Sequence, residues 1–257
     1  MTSRVRAIGA LVLPLTLGVA ACDVALAGRA ADEWTRSYPL ADGGQLQITN
    51  TNGIVEIEGV AGSTVDVRAE RVAHAATDSA ARDLLSHLVI KEDVTPARIS
   101  LESEPSSGSF GVVYEIHYHV RTPKNTVVRA TTTNGRIILT SLSGKTTAAT
   151  TNGGVSADAL SGGLTAKSTN GAVNVEFAAI GREDVDLRTT NGAVRVTIPP
   201  DARANLDASV TNGGISISGL PFEPLDQSRR HVSGRINGGG TAITLSTTNG
   251  AIGIGVQ

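Results

Sequence analysis

Few side chains in this 257-residue chain have the types and spacing to do chemistry. In Tyr114-Glu115-Ile116-His117-Tyr118-His119-Val120, an extended backbone puts every second residue on one side, so Glu115, His117 and His119 share a face. A His-x-His pair beside a carboxylate is a spacing that can ligate zinc. The competing reading is an edge strand that buries Tyr114, Ile116, Tyr118 and Val120 and leaves the histidines in water. A second set is Asp184, Asp186 and Asp207 with Asn205. Placed on adjacent coils of a repeat, these oxygens could hold calcium or work as a carboxylate pair, as in β-helical polysaccharide-cleaving enzymes. Arg188 and Arg203 offer the alternative of a neutralised, solvated face.

Other chemistry is excluded by what the chain lacks. There is no Gly-x-Ser-x-Gly elbow, Ser-x-x-Lys, Gly-x-Gly-x-x-Gly or His-Glu-x-x-His motif. A formal net charge of −2 and an aromatic content of 3% leave neither the electrostatics nor the stacking platforms for nucleic acid. No cofactor is called for, and the chain is expected not to be an enzyme.

Cys22 is the only cysteine, which rules out an internal disulfide or a Cys-rich metal site. It follows Arg4, Arg6 and the apolar run from Ala7 to Ala21, the layout of a secretory signal and too short to span a bilayer as a mature helix. Val19-Ala20-Ala21-Cys22 fits a lipobox, in which Cys22 is lipidated and becomes the new N-terminus. Ala25-Leu26-Ala27 fits ordinary signal peptidase, with cleavage after Ala27. Residues 1–27 are therefore expected to be removed or reduced to an anchor. The protein is expected in the cell envelope, the periplasm or outside the cell, with membrane contact only through such a lipid.

The elements that must carry these residues come from an internal repeat. Thr-Asn-Gly occurs seven times, with Asn52, Asn134, Asn152, Asn170, Asn191, Asn212 and Asn249 followed by Gly53, Gly135, Gly153, Gly171, Gly192, Gly213 and Gly250. Ile236-Asn237-Gly238 resembles a decayed eighth copy. Spacings from Asn134 are 18, 18, 21, 21 and then 37 residues, the length of one short supersecondary unit. Three and five residues after each Asn stand apolar side chains such as Val173 and Val175, with Asn174 between them. Six and four residues before it stand pairs such as Leu164 and Ala166. This period-2 alternation marks strands with one buried face on both sides of an Asn-Gly corner. Asn and Gly suit the positive φ of a tight bend.

A two-residue hairpin fits the corner as well. The near-constant period favours coils stacked in register, with an Asn ladder at a strand spacing of ~4.8 Å. The fold class expected is all-β: a right-handed parallel β-solenoid of 18–21-residue coils, forming one domain over residues 28–257. Its Leu142, Leu160 and Leu220 would fill the far edge of the core. Residues 59–123 interrupt the repeat, with a strand over Thr64–Val72, a helix over Thr77–Val89 capped by Thr77 or Ser79, and strands over Ala97–Ser103 and Val112–Arg121. That irregular block caps the N-terminal end of the stack, whereas no cap is expected at the other end.

The Thr-Asn-Gly-x-Val-x-Val repeats and the segment Val196-Thr197-Ile198-Pro199 leading to Leu206-Asp207-Ala208-Ser209-Val210-Thr211-Asn212-Gly213 resemble the bacterial "putative adhesin" domain family of unknown function. This family is also called toast-rack-like and is related to the head GIN domains of autotransporter-like adhesins. The resemblance covers roughly Asp32 to Gln257 and implies a β-solenoid envelope protein. It implies no activity, since the family supplies no catalytic residues to carry over. The expected function is an exported, non-enzymatic scaffold that meets an unspecified envelope or surface partner. The alternatives are a glycan-binding or glycan-cleaving β-helix, or a metal-binding periplasmic protein.

Overall fold

The computed structural model describes residues 27–104 and 113–257. Chain residues 1–26, which carry the expected signal and Cys22, lie outside the described residues. The first part comprises β1 (Gly28–Pro39), β2 (Gln45–Thr49), β3 (Val55–Val60), β4 (Thr64–Ala75), the helix α1 (Asp78–Ser86), β5 (Val89–Thr95), β6 (Arg98–Glu104) and β7 (Val113–Pro123). Repeats then supply β8 (Val127–Asn134), β9 (Ile137–Thr140), β10 (Thr146–Asn152), β11 (Val155–Leu160), β12 (Leu164–Asn170), β13 (Val173–Phe177), β14 (Val185–Asn191) and β15 (Val194–Ile198). The last part holds β16 (Ala204–Asn212), β17 (Ile215–Ile217), β18 (Phe222–Gln227), β19 (His231–Ile236), β20 (Thr241–Asn249) and β21 (Ile252–Val256).

The two strands of each repeat lie in different sheets, so the Asn-Gly corner turns the chain across the core. One sheet runs β1-β4-β7-β3-β9-β11-β13-β15-β21-β17 and the other β18-β19-β16-β20-β14-β12-β10-β8-β2-β6-β5. Pairing between coils is parallel and in register, with Leu164 opposite Thr146 and Asn170 opposite Asn152. The hairpin reading fails on this pairing, and the chain is a flattened parallel β-solenoid. The alternation explains why: a hairpin within one repeat would leave the inward row without a second sheet to cover it. Between the sheets Val55, Ile137, Val155, Val173, Val194 and Ile252 are each 0% exposed. Burying one such side chain contributes about 1.5–3 kcal/mol, which makes this row the main determinant of register. Leu142 and Leu160 are buried at the far edge, and Leu220 is only partly buried against the same core.

The spatial order of the coils departs from the sequence order. β20 lies between β14 and β16, and β21 between β15 and β17. The corners therefore stack in the order 52, 134, 152, 170, 191, 249, 212. The 37-residue gap is the length of an excursion. After β17 the chain forms the β18–β19 hairpin, which pairs antiparallel along the outer edge of β16, and then returns to fill the slot beside β14. This hairpin is the cap that sequence reasoning did not foresee; an uncovered β16 would present a row of unpaired backbone groups. Asn237 is not an eighth corner. It sits in the turn after β19 at φ 49, and its Nδ2 donates to the carbonyls of Pro200 at 2.9 Å and Ala202 at 2.8 Å.

At the other end, β4 pairs antiparallel with β1 and β7, while β7 and β6 add parallel strands to β3 and β2. α1 packs Ala81 and Leu85 inward. Thr77 caps it, its Oγ1 accepting from the Ala80 N–H at 3.2 Å. The helix stops at Ser86, short of the expected Val89, because Val89 already begins β5. A buried polar set locks this block to the first coil. Asn50 Nδ2 donates to the Ile116 carbonyl at 2.8 Å, and Ser103 Oγ donates to Asn50 Oδ1 at 3.0 Å and lies 2.9 Å from Tyr118 Oη. Burial pushes the Tyr118 phenol up to about 12.

Candidate functional site

The seven corner asparagines form one column, exposed at every position but the half-buried Asn52. Each Nδ2 donates to the Oδ1 of its neighbour toward the N-terminal block: Asn134 to Asn52 at 2.8 Å, Asn152 to Asn134 at 2.8 Å, Asn170 to Asn152 at 2.9 Å and Asn191 to Asn170 at 2.9 Å. Asn249 donates to Asn191 and Asn212 to Asn249, both at 2.8 Å. Every amide points the same way, so the bonds polarise one another along the stack. Each of the five inner side chains uses one N–H and one lone pair in the ladder, while Asn52 only accepts and Asn212 only donates. A second N–H and a second lone pair stay open to solvent, once per strand spacing of ~4.8 Å. The neighbouring threonines Thr133, Thr151, Thr169, Thr190, Thr248 and Thr211 are exposed beside them.

The glycines of the corner are set by the stack as well as by the bend. A Cβ on Gly171 would lie 2.0 Å from the Gly153 carbonyl oxygen, and one on Gly192 2.1 Å from that of Gly171. Gly53, Gly153, Gly213 and Gly250 have the expected positive φ, at 116°, 153°, 154° and 158°, whereas Gly135, Gly171 and Gly192 do not. The conformational reason therefore holds at four corners, and close approach of a neighbouring backbone adds to it there and stands alone at Gly135, Gly171 and Gly192.

A second column went unread in the sequence. Two residues before the corner Asn, on the inward phase, Thr150, Ser168, Thr189 and Thr247 each donate a hydroxyl to the Gly carbonyl of the preceding coil at 2.7–2.9 Å. Its signal was a hydroxyl residue recurring where the alternation calls for an apolar one. In the same column Thr132 Oγ1 is buried without a partner among the described residues. Its equivalent acceptor, the Gly53 carbonyl, is approached instead by Asn50 Nδ2 at 3.4 Å.

Glu115, His117 and His119 do share β7, but they do not converge on one point. His117 Nε2 is 3.1 Å from Glu115 Oε2, and its Nδ1 accepts from the Ile54 N–H at 3.2 Å. His119 Nδ1 turns to Glu56 Oε2 at 2.9 Å, a different carboxylate on β3. Among the described residues no three His, Cys, Asp or Glu side chains are grouped to hold a metal ion.

The aspartate grid is overturned by the coil order. Asp186 and Asp207 are not neighbours, because Thr244 of β20 stands opposite both. Asp186 instead accepts from Arg188 Nε at 2.7 Å. Asp207 approaches His231 Nε2 at 3.4 Å, while Asp226 holds the opposite nitrogen of that ring at 3.0 Å. Asp184 is exposed, and Asn205 Nδ2 donates to the Gly240 carbonyl at 2.7 Å. Paired-carboxylate chemistry between adjacent coils is therefore not available to these residues.

The repeated coil with its corner column has a counterpart among known sequences, since residues 120–255 match the family described as Toastrack DUF4097. The chain belongs to the Toastrack DUF4097 family. Its toastrack fold is similar to a "putative cell adhesion protein" from Clostridium sporogenes ATCC 15579, at 13% identity and a TM-score of 0.54 over 89% of this chain and 100% of that one. A "putative adhesin" from Bacteroides fragilis NCTC 9343 aligns at 11% identity and a TM-score of 0.34, over 88% of this chain and 97% of that one. No curated protein sequence matches this toastrack chain. Among its described residues no helix is long and apolar enough to cross a membrane.

Proposed function

We propose that this toastrack protein is an exported, non-enzymatic scaffold of the cell envelope whose corner edge and adjoining sheet face serve adhesion. The observation that carries this reading is the Asn column, an unbroken row of seven like side chains joined by six hydrogen bonds. Such a row offers many weak, identical contacts along one line, which suits an extended partner better than a small substrate. The similarity in fold to a protein described as a "putative cell adhesion protein" supports it. The basic and apolar N-terminal run supports export, and Cys22 supports a lipid anchor. β1 begins at Gly28, so a Cys22 anchor would be joined to it by Asp23–Ala27. Five residues reach at most about 18 Å, which would hold the N-terminal block close to the bilayer.

Two measurements test the reading. Mass spectrometry of the mature protein should find acylated Cys22, and Cys22→Ser should move the protein to a soluble fraction. A free N-terminus at Gly28 would remove the anchor. Cells lacking the protein should adhere less to a surface coated with envelope or matrix material than cells that carry it, and equal adherence would remove the adhesion role.

A further inference from the structure

We propose that the outer face of the repeat sheet, next to the Asn column, binds an acidic polysaccharide, with Lys167 and Arg188 receiving its carboxylates. This inference deepens the adhesion reading and rests on it only for its biological purpose. Lys167 of β12 and Arg188 of β14 stand directly opposite each other in register, and both are exposed. Like charges so placed on neighbouring strands repel; Asp186 offsets part of this at Arg188, whereas Lys167 has no ion-pair partner among the described residues. Arg188 gives its Nε to Asp186 and keeps its terminal nitrogens for another acceptor.

The two cations border a shallow hollow of about 480 Å³ that extends from β8 across to β20. Among the described residues no carboxylate lines it. Ala149, in register beside Lys167, leaves its floor low, and hydroxyls of Thr131, Thr151, Thr169, Thr190 and Ser246 surround the cations. Such a surface fits a chain that carries both carboxylates and many hydroxyl groups. Hydroxyl donors and acceptors recur along the stack at ~4.8 Å, close to the length that one pyranose residue adds to an extended glycan. An arginine and a lysine side by side can take successive or shared carboxylates.

Other polyanions fit less well. Among the described residues no aromatic side chain lines the hollow, so bases would find nothing there to stack on. Recognition of an anionic membrane uses clusters of about 4–8 basic residues, where this face sets two in register.

The test is titration of the purified protein with sodium polygalacturonate and, separately, with neutral dextran, at low and high salt. Polygalacturonate should bind, dextran should not, and binding should weaken as salt screens the cations. Lys167→Glu and Arg188→Gln should each weaken binding about tenfold or more, while Arg195→Gln, on the other sheet, should change it less than twofold. Lys167 is exposed, so its variant keeps the fold, which an unchanged or raised thermal midpoint verifies. Equal binding of dextran, unchanged binding by Lys167→Glu, or no binding of polygalacturonate would each overturn the proposal. Loss of polygalacturonate binding with adherence of whole cells intact would sink this inference and leave the adhesion reading standing. The reverse result would sink only the latter.

Discussion

Asn191 and Asn249 are 58 residues apart in the chain, yet their side-chain amides are hydrogen-bonded at 2.8 Å. That bond exists because the last repeat is inserted between two earlier ones, and it keeps the Asn column continuous across the point where chain order and spatial order part.

Breaking the column in its middle should therefore cost two bonds. Asn170→Val removes the donation to Asn152 and the acceptance from Asn191. At about 0.5–1.5 kcal/mol for each bond, a destabilisation of about 1–3 kcal/mol is expected from the urea midpoint. No strain adds to this, since Asn170 ends a regular strand. An unchanged midpoint would show the ladder to be energetically idle.

The glycines supply a sharper contrast. Gly171→Ala drives a Cβ to 2.0 Å from a backbone oxygen, which cannot rotate away, and should cost about 3 kcal/mol. Gly214→Ala meets nothing within 4 Å and should stay within about 0.5 kcal/mol of wild type. Equal melting temperatures for the two variants would contradict stack-imposed selection of glycine.

Inserting the last repeat makes the C-terminal segment a wedge. Truncation before Thr241 removes β20 and β21, the strands that join β14 and β15 to β16 and β17. Hydrogen exchange should then show loss of protection throughout β16, β17 and the β18–β19 hairpin. Retained protection there would mean that the Asn212 coil can dock without the wedge.

His231 predicts a pH response at the capping hairpin. Its pKa is raised, first by the hydrogen bond to Asp226 and then by that to Asp207. A group whose folded pKa lies above its unfolded value stabilises the fold fully below the unfolded pKa, about 6.5 for histidine, and loses that contribution as pH rises through the higher folded value. The ring is largely solvated, so the effect is small and local. Amide exchange of Val232, followed by NMR, should quicken across that window relative to a His231→Gln control. Parallel pH profiles for the two proteins would refute the clasp.

Which residues face inward was legible in the sequence, because strand alternation is a local property and each repeat states it again. The corner Asn residues were legible as a column for the same reason: a constant period places like residues at like heights. Only the tertiary structure decided which coil lies beside which. Interior strands such as β12, β14 and β20 present nearly the same apolar row, so local pattern cannot rank their pairings. The outcome depends on which edge the β18–β19 hairpin covers and which slot that leaves open. That choice separated Asp186 from Asp207 and ended the carboxylate-pair reading. It also added a second reason for the glycines, since the close approach that excludes a Cβ lies between coils and is invisible within one. The opposition of Lys167 and Arg188 belongs to the same level, because a charge on one strand acquires its neighbour only when the sheet forms.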